Sequence, residues 1–404
     1  MFRSWFFIFC FISICFLSGC VQKEHSSTKS AQEPVAFSKP PIKIGLLYSL
    51  TGPSAVTEKW LVEAAVFTIA EINSQGGLLG RPLKAVVADG KSDPATFARE
   101  AERLILQDQV MCIFGTWTSD SRIAVKSVIQ KYRNLLFYAA PYEGGEKSSN
   151  IVYLGPVPNQ QIYPAIDWMS HNIGQRFYII GSKDRFAEAS IPLIRRYLKK
   201  SGFPLAGISN CDSDPAIRQA LTTAKNAHAN VIINLLDGDL AVSFLEAFSA
   251  MRFKDIRIAS LSCRIGESEV LAARSDVSGR QYVSAGYFMT IPSDANKQLI
   301  HHFQKTFGRK QMIGAPMEAI YNGIYLLAKT INFTDSIQSD LIGKAILGQT
   351  YYTPQGVVGI DPATRHLAQS IRLGRLTEDA RFEIVWSSET PIIALPFKLD
   401  SSHK

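Results

Sequence analysis

The sequence predicts an α/β protein built from open parallel sheets whose faces are covered by helices. Short apolar runs of strand length alternate with amphipathic segments of helical length from Ile42 to about residue 290. The chain has 404 residues, and the part that follows the N-terminal leader is longer than one hydrophobic core usually covers. We therefore expect two lobes of similar construction.

The first 19 residues have the pattern of a signal peptide. Arg3 precedes an almost wholly apolar run from Trp5 to Leu17, which is too short to anchor stably across a bilayer. The run ends in Leu17-Ser18-Gly19-Cys20, which resembles the lipobox of bacterial lipoproteins, in which the Cys is lipidated and becomes the N-terminus. A plain secretory peptide or an uncleaved anchor is the alternative. We expect lipidation of Cys20 and a location at the cell envelope, facing the periplasm or the exterior.

Residues 20–41 are predicted to be a flexible tether. The tract is polar, rich in Ser and Lys, and closes on Pro40-Pro41. The folded part should begin at Ile42.

Nine apolar runs are predicted to be strands. They are IKIGLLYSL, LKAVVAD, VMCIFG, LLFYAA, FYIIGS, PLAGIS, NVIINLL, IRIASLS and QYVSAGYF. Helices are expected between them. One, over 58–73, precedes the C-cap signal Gly76-Gly77, and another is opened by Asp93 as N-cap with Pro94 in its first turn. The alternation of strands and helices is typical of parallel sheets.

Two prolines interrupt the alternation in GPVPNQ, residues 155–160, which we interpret as a crossover between the lobes. The last part of the chain, after residue 315, does not continue the alternation of strands and helices. Two helical stretches over 315–332 and 339–347 precede the strand-like runs VVGID, SIRLGRL and FEIVW. A chain that crosses between lobes more than once would use such a tail to complete both.

The stretch GTWTSDSR, residues 115–122, follows a predicted strand and opens a predicted helix. Ligands of open α/β sheets bind outside the carboxyl ends of the strands, where backbone N–H groups are unpaired. Trp117 offers an apolar wall with one N–H donor, and Thr118 or Ser119 can cap the helix or face a ligand. Local spacing alone favours the alternative, in which Ser119 and Asp120 only cap the helix and Trp117 covers the surface.

Several function classes have no support in the sequence. The formal charge of +8 is spread along the chain without a basic run, which argues against nucleic-acid binding. No nucleotide-binding loop, nucleophile elbow or zinc-protease motif is present, so we expect neither an enzyme nor a cofactor. His301-His302 lies in a polar helix and does not indicate a metal site.

The cysteines after Cys20 give little indication of chemistry. Cys112 lies in an apolar run and is expected to be a buried small hydrophobe. Cys211 and Cys263 could pair only if the fold brings them together.

Many segments taken in order resemble one family. They are GLLYSLTG, AEINSQGGLLGRPL, VADGKSDPATFA, VMCIFGTWTSDSR, LLFYAAPYEG, NIVYLGPVPNQQIYPAIDW, FYIIGS, PMEAIYNGIYL, TPQGVVGID and FEIVWSS. Together they resemble the substrate-binding proteins of bacterial urea and short-chain amide ABC transporters, within the branched-chain amino-acid-binding class. The resemblance spans nearly all of the chain after the tether.

The resemblance implies a type I periplasmic binding fold, in which two α/β lobes joined by a three-stranded hinge enclose a small polar ligand. Lobe 1 is expected over 42–157 plus 288–348, and lobe 2 over 158–287 plus 349–397. The resemblance also implies that the partners are an ABC permease and an ATPase. The same fold could instead belong to a sensory lipoprotein that signals to a membrane receptor kinase.

The resemblance also implies which residues bind the ligand. The candidates in lobe 1 are Trp117, Thr118, Ser119, Tyr138, Pro141 and Tyr142. Glu143 is either a ligand contact or a structural carboxylate. In lobe 2, Asp237 and Asp239 occupy a strand end where the family has a pocket-facing loop, and an N-cap role for one of them is the alternative.

The chain departs from the family pattern after the run FYIIGS. Asp184 stands where the family has a ligand-facing Tyr, with Lys183 and Arg185 on either side. If any of the three faces the cleft, a buried charge would disfavour a neutral ligand and favour a charged or zwitterionic one. We therefore predict weak urea binding, with the alternative that all three point to solvent.

Overall fold

The structure, a computed structural model, describes residues 37–251, 258–273 and 276–397. The predicted signal peptide, the lipidation site Cys20 and most of the tether lie outside these residues. Within the described ranges, the strands form three sheets.

The first sheet contains five parallel strands among the described residues, in the order β2-β1-β3-β4-β5. They are β1 (Ile42–Tyr48), β2 (Leu83–Asp89), β3 (Cys112–Gly115), β4 (Leu136–Tyr138) and β5 (Ile151–Tyr153). The central strands β3 and β4 are buried along their whole length, as continuous apolar runs in parallel sheets usually are. Helices α1 (Ala55–Ser74), α2 (Pro94–Leu106) and α3 (Ser119–Lys131) connect them.

Side chains fix where two of these helices begin. The Asp93 carboxylate accepts a hydrogen bond from the Thr96 N–H at 2.8 Å, as predicted for the N-cap of α2. Thr118 does the same for α3, accepting from the Ser121 N–H at 3.2 Å. The stretch GTWTSDSR is therefore the turn from β3 into α3.

The second sheet contains seven strands within the part of the chain that the structure describes, in the order β15-β14-β10-β9-β8-β6-β7. Its parallel strands are β6 (Phe177–Ser182), β7 (Leu205–Cys211), β8 (Val231–Asn234), β9 (Ala259–Ser262) and β10 (Gln281–Ala285). The helices of this part are α4 (Pro158–Asn172), α5 (Arg185–Lys200), α6 (Asp214–Asn226), α7 (Gly238–Ala250) and α8 (Glu267–Ala273).

The chain then returns to the first sheet. Helices α9 (Asp294–Phe307), α10 (Ala315–Thr334) and α11 (Ser339–Ala345) pack on its core through Leu299, Ile320 and Ile342 respectively. A small sheet of β11 (Thr350–Thr353), β12 (Gly356–Ile360) and β13 (Leu367–Ala368) follows. Finally β14 (Arg372–Leu376) and β15 (Phe382–Ser387) pair antiparallel at the edge of the second sheet.

We call the body around the first sheet lobe 1 and the body around the second sheet lobe 2. Three segments pass between them, near Leu154, Gly286 and Gln369. They lie together, because Gln369 Nε2 donates to the Leu154 carbonyl at 3.3 Å and Gln369 Oε1 would lie 2.4 Å from a Cβ added at Gly286. A side chain at position 286 would thus require the Gln369 side chain to move.

The prediction of α/β architecture with alternating strands and helices is confirmed, and each of the nine apolar runs contains a strand. Strand β5 was not predicted, because its apolar run, IVYL over residues 151–154, is shorter than the runs of the nine predicted strands. We expected residues 349–397 in lobe 2. Strands β14 and β15 do belong to the second sheet, whereas β11–β13 form a separate small sheet. Val358, Ile360 and Leu367 pack into the core of lobe 1.

Two further expectations concern cysteines and membranes. Cys112 is fully buried in β3, as predicted, and Cys211 and Cys263 are free thiols. No helix in the described ranges combines the length and apolarity needed to cross a membrane.

Candidate functional site

Trp117 joins the two lobes at the carboxyl ends of their strands. Its indole Nε1 donates to Oδ2 of Asp237 at 3.0 Å. Trp117 follows β3 in lobe 1, whereas Asp237 follows β8 in lobe 2. Only 1% of the Trp117 surface is exposed, so this contact lies inside a closed cleft.

Arg264 completes this contact from the next strand of lobe 2. Its Nη2 donates to the same Asp237 oxygen. The guanidinium lies between two rings, 4.5 Å from the Phe186 ring centre and 5.2 Å from that of Trp117. Burial lowers the pKa of Arg264, but the Asp237 carboxylate raises it and the net direction is upward. Arg264 is therefore a buried cation.

One donor of this cation is unused. Arg264 Nε is buried and has no hydrogen-bond partner among the described residues. An unsatisfied buried N–H costs about 1–3 kcal/mol, and more on a charged group. The closed cleft therefore holds a charged group with one donor that the described residues leave unsatisfied.

Arg264 and Trp117 both line a cavity of about 200 Å³ between the lobes. Most of its wall is apolar, including Trp60, Leu154, Phe288, Met312 and Met317. Three amides face the same space, those of Gln161, Gln355 and Gln369. The volume lies below the roughly 300–1,000 Å³ of pockets for drug-sized ligands, so it favours a smaller solute.

Two carboxyl groups from α8 also line the cavity. Glu269 Oε1 accepts from Thr57 Oγ1 of lobe 1 at 2.5 Å, and Glu269 Oε2 accepts from the Gly266 N–H at 2.9 Å. Burial raises the pKa of Glu267 to about 8, so this group is mostly protonated at neutral pH. Glu267 thus adds little negative charge to the cavity.

A third carboxyl lies just behind the wall, in the first turn of α1. Burial raises the pKa of Glu58 to about 8, although the Ser49 N–H opposes this by donating to Glu58 Oε2 at 2.6 Å. Burial therefore keeps this group mostly protonated as well.

Three of the six predicted lobe 1 contacts, Ser119, Tyr138 and Tyr142, surround a buried arginine instead of the cavity. Arg122 is 1% exposed and pairs with Glu143 at 3.0 Å and with Glu146 at 3.3 Å. Ser119 Oγ donates to Glu143 Oε2 at 2.6 Å. Glu143 is thus a structural carboxylate in this state of the protein, which was one of its two predicted roles.

The two predicted tyrosines belong to the same cluster. The Arg122 guanidinium lies 5.1 Å from the ring centre of Tyr138 and 4.4 Å from that of Tyr142. Tyr138 Oη donates to the Trp117 carbonyl at 2.8 Å, so the cluster holds the Trp117 loop in place. Tyr142 Oη contacts His366 Nε2 at 2.6 Å. Among the predicted contacts, Trp117 and Pro141 line the cavity.

The charged triplet of lobe 2 has other partners. Lys183 forms an exposed ion pair with Asp212 at 2.6 Å. Asp184 caps α5, accepting from the Ala187 N–H at 2.8 Å and from Ser182 Oγ at 2.6 Å. Arg185 reaches across the cleft to Asp120 of GTWTSDSR, at 2.6 Å. These bonds do not support a ligand contact by Asp184, which stays a prediction. The arginine that lines the cavity is Arg264, which lies outside this triplet.

Sequence reasoning missed Arg264, Glu267 and Glu269. All three lie directly after β9, in the stretch SCRIGESE, at the carboxyl edge of the second sheet. Ligands of open α/β sheets bind at the carboxyl ends of strands, so this position was the signal that could have identified them. Asp237 was predicted, and its side chain bonds Trp117 and Arg264 without capping α7.

The described residues contain no group of three or more His, Cys, Asp or Glu side chains that could hold a metal ion. The donors that face the cavity are those suited to a small organic solute.

Comparisons with known proteins agree with this geometry. The family described as "Periplasmic binding protein domain" matches residues 42–403. A leucine-, isoleucine-, valine-, threonine- and alanine-binding protein of Pseudomonas aeruginosa is 22% identical over 79% of this chain and 86% of its own length. A solute-binding protein of an ABC transporter from Rhodopseudomonas palustris HaA2, in complex with p-hydroxybenzoic acid, superposes with a TM-score of 0.79 at 20% identity. That match covers 88% of this chain and 98% of the other.

One further match, to an enzyme, covers only a small part of the chain. A limonene hydroxylase of Geobacillus stearothermophilus is 30% identical over 115 residues, which cover only 28% of this chain and 21% of that one. The matches that cover most of the chain are binding proteins and not enzymes. The predicted fold class is confirmed, with helix-covered parallel sheets in two lobes. The chain belongs to the periplasmic binding protein family.

Proposed function

We propose that this protein is the extracytoplasmic solute-binding component of an ABC importer. Its solute is a small carboxylic acid with an apolar or aromatic body, held in the cleft between the lobes. The observation that carries the proposal is the buried Arg264, which lines the cavity and whose Nε has no hydrogen-bond partner among the described residues. A carboxylate is the acceptor that matches a guanidinium best, since charge-assisted bonds are roughly twice as strong as neutral ones.

The cavity wall supports an apolar body on the solute. Urea and acetamide would leave the rings of Trp60, Trp117 and Phe288 against water or empty space. An aromatic or branched aliphatic body would cover them. The named relatives support this class, since p-hydroxybenzoic acid and the branched amino acids all combine a carboxylate with such a body.

Two classes of acid fit these features. An amino acid also carries an ammonium, for which the Glu269 carboxyl on the cavity wall is a candidate partner. An aromatic acid has no ammonium, and its body would be held only by contacts with the rings of the cavity wall. We therefore propose the carboxylate as the shared feature and let binding data separate the two classes.

Isothermal titration of the purified protein tests the proposal. The panel is 4-hydroxybenzoate, benzoate, leucine, isoleucine, urea and acetamide. We expect at least one acid to bind at least tenfold more tightly than urea and acetamide, and to lose most of its affinity in Arg264→Met. Arg375→Met is the matched control, since Arg375 forms an exposed pair with Glu383 on lobe 2. Tight binding of urea or acetamide alone would refute the carboxylate assignment.

Uptake measurements test the transport role. Cells that lack the gene should lose high-affinity uptake of the radiolabelled acid and regain it with the wild-type gene. Unchanged uptake would favour the predicted alternative, a sensory lipoprotein that signals to a receptor kinase. We propose attachment to the envelope through a lipid on Cys20 in either case.

A further inference from the structure

Asp237 is the one carboxylate that pairs directly with Arg264 among the described residues, and it belongs to the same lobe. Asp184 of lobe 2 adds a weaker attraction from farther away. Asp237 follows β8 and Arg264 follows β9, which are paired strands of the second sheet. Opening of the cleft would leave this ion pair intact while Trp117 of lobe 1 departs. Arg264 therefore meets an incoming solute with a counter-anion already attached.

This arrangement opposes a second negative charge. When the cleft closes on a carboxylate, one buried cation faces two anions, Asp237 and the solute. Closing on a neutral head group, such as a carboxamide, leaves the pair balanced. Desolvated charges are stable only when they are paired, so the counter-anion reduces the advantage of acids over amides.

We propose that Asp237 is a specificity-determining residue that limits the preference for acids over the matching amides, through its hold on Arg264. This inference rests on the proposed function, because it concerns the head group of the same solute. It differs from the sequence-based expectation that Asp237 contacts the ligand directly. A direct contact to an ammonium would make Asp237 favourable for binding, whereas an internal counter-anion disfavours a solute carboxylate.

Asp237→Asn separates these roles. The amide oxygen can still accept from Trp117 Nε1, which keeps the contact between the lobes, but the charge on Arg264 is no longer balanced. A solute carboxylate then becomes the counter-anion, whereas a neutral amide closes the cleft over an unpaired cation. Binding of acids should strengthen and binding of amides should weaken.

The test is a ratio of dissociation constants measured by titration calorimetry on the purified protein. The pairs are 4-hydroxybenzoate with 4-hydroxybenzamide, and leucine with leucinamide. For the pair whose acid binds the wild type, we expect Asp237→Asn to shift the amide-to-acid ratio at least tenfold in favour of the acid. The ratio is insensitive to a general loss of folding or closure, because both members of a pair are affected equally.

Asp239→Asn is the matched control. Asp239 is exposed two residues further along, and the substitution removes the same charge from the start of α7. Its ratio should stay within twofold of the wild type. An unchanged or reversed ratio in Asp237→Asn, with normal acid binding by the wild type, overturns the inference and leaves the proposed function intact. Failure of both acids to bind the wild type overturns the proposed function, and the inference with it.

Discussion

Trp117 Nε1 donates to Asp237 Oδ2 at 3.0 Å, and this bond joins a loop of lobe 1 to a loop of lobe 2. The Trp117 ring also covers the Arg264 guanidinium from the lobe 1 side. Closure thus shields a buried ion pair and one wall of the cavity at once. The indole is the central lobe 1 element of the proposed site.

Substitution of Trp117 should therefore weaken solute binding. In Trp117→Ala we expect a loss on the order of 2 kcal/mol or more, as for central aromatic anchors of interfaces. Trp117→Phe keeps a ring but lacks the N–H donor, so its loss should be smaller. Calorimetry on both variants measures the difference. An affinity equal to that of the wild type in Trp117→Ala would place the ring outside the binding mechanism.

The Arg122 cluster should be important for stability. Arg122→Met leaves the carboxylates of Glu143 and Glu146 without their buried partner, and breaking a buried pair costs about 3–5 kcal/mol. Arg218→Met removes an exposed pair with Asp214 and should have no measurable effect. Urea unfolding of both variants gives the comparison. Equal stability of the two would mean that the cluster contributes little.

The ion pair between Arg185 and Asp120 should assist closure weakly. Both side chains are about half exposed, at 53% and 45%, so the pair is screened by salt. We expect Arg185→Glu to weaken solute binding by about two- to fivefold at low salt, and 1 M salt to remove the difference. The double variant with Asp120→Lys should restore binding. Failure of this swap would show that the two residues do not meet in the bound state.

His366 should make stability depend on pH. Its Nδ1 contacts the Thr364 carbonyl, an acceptor, so Nδ1 carries the proton and Nε2 accepts from Tyr142 Oη. Burial lowers the pKa of His366 to about 4 from 6.5. The unfolded chain therefore takes up a proton first, and stability present above pH 6.5 is lost as the pH falls towards 4.

A pKa difference of one corresponds to about 1.36 kcal/mol, so the loss is on the order of 3 kcal/mol. His366→Phe keeps a flat ring against Tyr153 and cannot titrate. Chemical unfolding between pH 4 and 7 should show that the free energy of unfolding of His366→Phe, taken relative to the wild type, rises as the pH falls, whereas the same difference for the exposed-residue control His301→Gln stays constant. A constant difference between His366→Phe and the wild type would contradict the assignment.

Lipidation of Cys20 is predicted from the sequence motif. Labelled palmitate should enter the wild type and not Cys20→Ser. A single acyl chain gives only marginal binding to membranes, whereas several chains together hold stably, so the variant should also appear in the soluble fraction. Equal labelling of both proteins would exclude the motif as a lipidation site.

Local patterns in the sequence were sufficient for the α/β architecture, because these signals agree with one another. Apolar runs such as VMCIFG and FYIIGS have strand length, and capping residues such as Asp93 mark the starts of helices. Strand β5 was missed because its apolar run, IVYL, is shorter than those of the predicted strands. The placement of β11–β13 on lobe 1 depends on packing between distant segments, which local patterns do not contain.

The candidate site was predictable only in part. Trp117 has a rare side chain at a strand end, and its position in the cavity wall agrees with expectation. Arg264 has no such signal, because an isolated Arg after a strand is usually solvated. Asp184 matched the position of a ligand contact, but a short acid before a helix is also a typical N-cap, and its bonds are those of a cap.

A crystal structure of the protein with the tightest-binding acid of the panel would test the central proposal most directly. We expect the solute between Trp117 and Arg264, with a carboxylate oxygen within about 3.2 Å of Arg264 Nε. Its body should lie against the rings that line the cavity. A solute bound elsewhere, or one in the cleft whose carboxylate lies beside Lys183 and Arg185 with Arg264 Nε still unpaired, would contradict the proposal.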